Sequence, residues 1–137
     1  MANEASFDSQ TETNTSTGKA IGLSIAGWLV GYLISCISSI LLFVIGHIPP
    51  HLPASTGTMW LTAIYGIVFA VIAAAVGASF YRRFALGIGA AIAATIGVVA
   101  LWSWYETPTA AHWTQAIAIL LMAPAAQFGS FFRRSDD

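Results

Sequence analysis

The sequence predicts an all-α integral membrane protein: four transmembrane helices in an up-down-up-down bundle, preceded by a disordered N-terminal tail. Three observations predict it. Of 137 residues, 57% are hydrophobic and only 8% charged, with a mean hydropathy of +0.75. A water-soluble domain carries about 25% charged residues. All five basic residues stand at three places, Lys19, Arg82-Arg83 and Arg133-Arg134. Around them run four apolar stretches with no charged residue inside. Each is close to the roughly 20 residues a helix needs to cross a hydrocarbon core of about 30 Å.

The first eighteen residues, MANEASFDSQTETNTSTG, are polar and carry Glu4, Asp8 and Glu12 with one large apolar side chain, Phe7. Such a segment buries too little apolar surface to offset its ordering entropy, so residues 1–18 are expected to form a disordered cytoplasmic tail. The acidic start and the long apolar run after Lys19 differ from a cleaved signal peptide and suit a signal anchor. Residues 19–134 form the transmembrane domain, with spans at about 20–46, 58–80, 84–104 and 111–132, and 135–137 form a second cytoplasmic tail. Helices are the form expected of each run, because every backbone polar group must be satisfied within the span. HIPPHLPASTG and YETPTA read as loops from their proline and turn chemistry. Spans two and three meet at Arg82-Arg83 with almost no linker, which calls for a tight hairpin. Pro124 is expected to bend span four.

Lys19, Arg82, Arg83, Arg133 and Arg134 fall on one side of this layout, and the opposite loops contain no Lys or Arg. The positive-inside rule then places both termini in the cytoplasm of a multi-pass cell-membrane protein. Trp60, Trp102, Trp104 and Trp113 cluster at the other ends, where indole rings favour the interface.

Membrane helices associate by close packing, which small residues permit. Span one carries Gly27, Gly31, Ser35 and Ser39 at four-residue spacing. Span two carries Gly66 and Ala70 within such a series, and span three Gly89, Ala93 and Gly97. These faces pack inside one bundle or against another subunit of a homo-oligomer or larger membrane complex. Ser35, Cys36, Ser38 and Ser39 form a small polar cluster in span one. Its hydroxyls either bond back to carbonyls one turn earlier or line a solute path together with Thr62.

His47, His51, Glu106 and His112 share the non-cytoplasmic side, and imidazole and carboxylate are ligands for zinc or copper. Pro49-Pro50 keeps His47 and His51 off a common helical face. No cofactor is assigned. The single cysteine, Cys36, excludes an intramolecular disulfide, and a net charge of −1 gives no electrostatic case for nucleic acid. No nucleophile elbow, zinc-protease motif or phosphate loop is present.

The layout is similar to that of small four-span inner-membrane proteins of bacteria, which implies a compartment and no activity. Size and span count also resemble small multidrug transporters, but the intramembrane glutamate used by that family has no counterpart here. The first functional expectation is a non-enzymatic scaffold or accessory, oligomerising subunit within the lipid bilayer. The alternatives are a small-solute transporter or channel, and a metal- or haem-binding protein using the outer histidines.

Overall fold

The computed structural model describes residues 2–134, with side chains placed from residue 16 onward. The described residues are all-helical, and four helices are long and apolar enough to cross a membrane. These are α1 (Ala2–Ile45), α2 (Thr56–Ala78), α3 (Ala85–Glu106) and α4 (Trp113–Phe131). The apolar part of α1 begins at Ser16.

Helix α1 continues through residues 2–18, where the sequence reading expects disorder. Extending an existing helix carries no nucleation cost, and no proline interrupts this stretch. The tail expected at 135–137 lies outside the described residues.

Local chemistry sets the helix ends. Helix α1 closes on His47, whose φ of 49° is left-handed. The Ile48 amide donates back to the Phe43 carbonyl at 3.1 Å, the longer bond of a Schellman cap. Ser55 caps α2: its Oγ accepts from the Thr58 amide at 3.2 Å. Between α2 and α3 the chain turns through Ser79–Tyr81 and a short 3-10 segment, Arg82–Phe84, giving the tight hairpin expected. In α4 the turn Ala118–Met122 is π-helical, and the Ala123 amide reaches the Ala118 carbonyl. Pro124 follows directly. It contributes no amide hydrogen and crowds the carbonyl four residues back, and the widened turn accommodates both effects.

Small residues set how closely the helices approach. Gly27 of α1 and Gly77 of α2 are both buried, and a Cβ built on either would overlap the other's carbonyl oxygen. One turn further, Gly31 lies against the Ala73 carbonyl and the Ile92 side chain. The Tyr65 hydroxyl then donates to the Ser38 carbonyl at 3.1 Å. These contacts step back along α2 as they step forward along α1, so the two helices run in opposite directions. Gly89 of α3 meets Ser130 of α4, and Gly129 of α4 meets Val71 of α2. The Trp28 indole donates to Thr95 Oγ1 at 3.0 Å, linking α1 to α3.

Ala70 and Ala74 of α2, Ile88, Ile92 and Ile96 of α3 and Ala126 of α4 form the buried centre, with Ala93 packed against it. The isoleucines recur every fourth residue, so one face of α3 supplies the bulk while its neighbours supply little but backbone. The exterior is apolar: Leu33, Ile37, Val98 and Leu120 are 55–70% exposed.

Candidate functional site: a mostly apolar cavity between the helices

Close contact at one end of the bundle gives way to open space at the other. A cavity of about 380 Å³ lies between all four helices and reaches the α1–α2 loop. That volume is at the small end of the roughly 300–1,000 Å³ usual for small-molecule sites. Most of its wall is apolar, contributed by residues such as Phe43, Ile96, Val99 and Met122. The polar groups are few and come from every helix.

Helix α1 contributes Ser35, Cys36, Ser38 and Ser39. The hydroxyls of Ser38 and Ser39 both donate to the Ser35 carbonyl at 2.9 Å. The back-bonding expected of them is therefore present, and each oxygen keeps acceptor capacity. Helix α2 contributes Thr62, Tyr65 and Gly66. Thr62 is 5% exposed, and its Oγ1 is buried with no hydrogen-bond partner. A buried hydroxyl without a partner costs about 1–3 kcal/mol, which a complementary group would recover. Helix α3 contributes Ser103 and Ala100, and α4 contributes Thr114 and Gln115. The buried Gln115 amide donates from Nε2 to Ser103 Oγ at 3.2 Å.

The π-helical turn of α4 faces this space, placing Ala118 and Met122 in the wall. Met122 also packs its thioether against Gly66. Glycine at 66 therefore leaves room for a flexible side chain that would otherwise be pushed aside.

Pro50 and His51 border the cavity at its α1–α2 loop end. Three bonds hold their loop against the start of α4. Thr114 Oγ1 donates to the Pro50 carbonyl at 3.1 Å, the Ala111 amide to the His51 carbonyl at 3.1 Å, and Trp113 Nε1 to the Leu52 carbonyl at 2.9 Å. Thr114 Oγ1 also lies 2.9 Å from Gln115 Oε1, so its one proton serves two acceptors.

Among the described residues, no group of three or more His, Cys, Asp or Glu is arranged to hold a metal ion. His47 is exposed in the α1 cap, Glu106 is exposed at the end of α3, and His51 takes part in the loop contact through its carbonyl. His112 stacks on Trp104, with ring centroids 4.5 Å apart and an 8° interplanar angle. That stacking directs its ring to an indole. Its Nδ1 is buried without a partner.

The small-residue positions separate into two groups. Gly27, Gly31, Ser35, Ala70 and Gly89 are buried between helices. Gly66 adjoins Met122, and Ser39 and Ala93 are half-buried. Gly97 differs: a Cβ there would meet nothing within 4 Å. Of the basic residues, Arg82 and Arg133 share one end of the bundle, with Arg82 Nε donating to the Arg133 carbonyl at 3.4 Å. Arg83 and Arg134 are exposed beside them, and Lys19 is exposed on α1 two turns before the Gly27 contact.

Sequence reasoning found Ser35, Ser38, Ser39 and Thr62 as a polar group and missed Tyr65, Ser103 and Thr114. The available signal was Thr62, Tyr65 and Gly66 at a spacing that shares one helical face. Comparison with known proteins returns nothing similar: no family model, curated protein or solved structure matches the chain.

Proposed function

We propose that this chain is a multi-pass membrane protein that binds a small, uncharged, mostly apolar molecule inside its helical bundle. The carrying observation is the buried, unpartnered Thr62 hydroxyl in a cavity whose other polar side chains are hydroxyls, an amide and a thiol, with the His51 imidazole at the loop end. Such a wall suits a ligand with an apolar body and one or two hydrogen-bonding groups. Binding is the proposed activity rather than ion-coupled transport, because no Asp, Glu, Lys, Arg or His lies within residues 20–46, 58–80, 85–105 or 113–132.

In this reading the four helices cross the bacterial inner membrane up-down-up-down, with both termini cytoplasmic and the cavity nearer the outer leaflet. The apolar exterior supports insertion, since a water-facing protein rarely carries so extensive an apolar surface. The arginine pairs at one end and Trp60, Trp102, Trp104 and Trp113 toward the other support the orientation.

The scaffold reading drew on small-residue faces being available to partners. Most of those positions are occupied within the bundle, which shifts the weight to the cavity. The test is thermal stabilisation of nanodisc-embedded protein by a panel of uncharged aromatic alcohols and amides, comparing wild type with Ala100→Leu. Saturable stabilisation of wild type that the filled cavity abolishes is the expected result. No saturable stabilisation by any compound, or equal stabilisation of the variant, contradicts the reading.

A further inference from the structure

The two arginine pairs lie 51 residues apart in sequence, yet Arg82 Nε donates to the Arg133 carbonyl at 3.4 Å. Folding thus concentrates Arg82, Arg83, Arg133 and Arg134 at one end of the bundle, all exposed. Glu106, the only acidic residue with a described side chain, is at the far end of α3. Setting orientation requires these charges on one side of the membrane; it does not require the pairs to adjoin. Like charges held together repel unless an anion sits among them.

The surroundings give that anion a shape. Phe84, Phe131 and Phe132 are more than half exposed beside the arginines, at 55%, 57% and 61%. Phe132 makes an edge contact with Phe128, their centroids 5.0 Å apart. Guanidinium groups match phosphate oxygens bidentately, whereas exposed phenyl rings offer nothing to a free ion in water. Both sets of contacts are satisfied by a phosphodiester that continues into hydrocarbon.

We propose that the α2–α3 turn and the end of α4 form a binding site for the headgroup of an anionic phospholipid. Its phosphate contacts the arginines and its acyl chains run along Phe84, Phe131 and Phe132. The site rests on the membrane reading and is independent of the cavity.

The test is native mass spectrometry of protein released from nanodiscs of equal phosphatidylglycerol and phosphatidylcholine content. Wild type is expected to retain phosphatidylglycerol preferentially. Arg82→Gln with Arg133→Gln should lower that preference by roughly fivefold for each arginine removed. Both side chains are exposed, so the double variant should fold, and a reporter fusion checks that it keeps its orientation. Lys at both positions preserves charge and should restore part of the preference. Equal retention of the two lipids, or a preference unchanged in the double variant, overturns the proposal. Displacement of bound phosphatidylglycerol by millimolar inorganic phosphate also overturns it, in favour of a free-ion site. Release of the protein from native membranes by alkaline carbonate alone would show that the membrane reading itself has failed.

Discussion

Gly27 and Gly77 face each other where α1 and α2 cross, each placed so that a Cβ would overlap the other's carbonyl oxygen. Backbone meets backbone here, and neither side can move without shifting a helix. Gly27→Ala is therefore expected to destabilise the bundle by about 1–3 kcal/mol, the usual cost of overpacking. Gly97→Ala is the control. Nothing lies within 4 Å of a Cβ there, and alanine gains about 1 kcal/mol of helix propensity over glycine in a water-exposed helix. Unfolding titrations in mixed micelles should show a loss for the first and none for the second. Equal effects would contradict the assigned crossing point.

The Thr62 hydroxyl supplies a prediction of opposite signs. Thr62→Val removes a buried oxygen that has no partner and keeps the side chain's shape. The ligand-free protein should gain stability, by about 1 kcal/mol or more. Any uncharged compound that stabilises wild type should bind the variant less tightly. A variant that is less stable when empty would mean that the hydroxyl already has a partner.

His47 occupies a backbone conformation that favours glycine, at φ 49°. Its replacement by glycine should be neutral or stabilising, whereas valine should cost about 1–2 kcal/mol. Thermal unfolding measures both. A large loss with glycine would give the imidazole a role beyond closing the helix.

Orientation is tested by fusions. A C-terminal green fluorescent protein should fluoresce and a C-terminal alkaline phosphatase should be inactive, with a cysteine placed at Ser55 labelled from outside the cell. The reverse pattern would invert the proposed topology.

Much of the fold was legible because long uncharged apolar runs leave few choices besides helix. Uncharged runs near membrane-spanning length read as helices, and Pro, Ser and Thr marked the connections. The glycine spacing in span one pointed to close contact, but Gly77 was not identified as the partner of Gly27. Pairing depends on helix rotation, which spacing within one helix does not set. The cavity was legible only in part. Ser35, Ser38, Ser39 and Thr62 stood out as polar residues in apolar runs. Ser103 and Gln115 joined them only when the fold brought α3 and α4 together. The π-helical turn that lines the cavity had one sequence signal, Pro124, which predicts a disturbed helix but not the widening. The histidines that the sequence places on one side are not brought to one point, because a shared end of the bundle does not direct side chains toward each other. His112 stacks on Trp104 instead.

The most direct measurement of the cavity uses the chain's only cysteine. Cys36 lies in the cavity wall, so a small uncharged thiol reagent, methyl methanethiosulfonate, reports access without introducing a label site. In nanodiscs, wild-type Cys36 should be modified to completion, and Ala100→Leu should block the reaction. Both proteins should react equally once denatured. An unreactive Cys36 in folded wild type, or undiminished reaction in Ala100→Leu, would contradict an accessible binding cavity within the bundle.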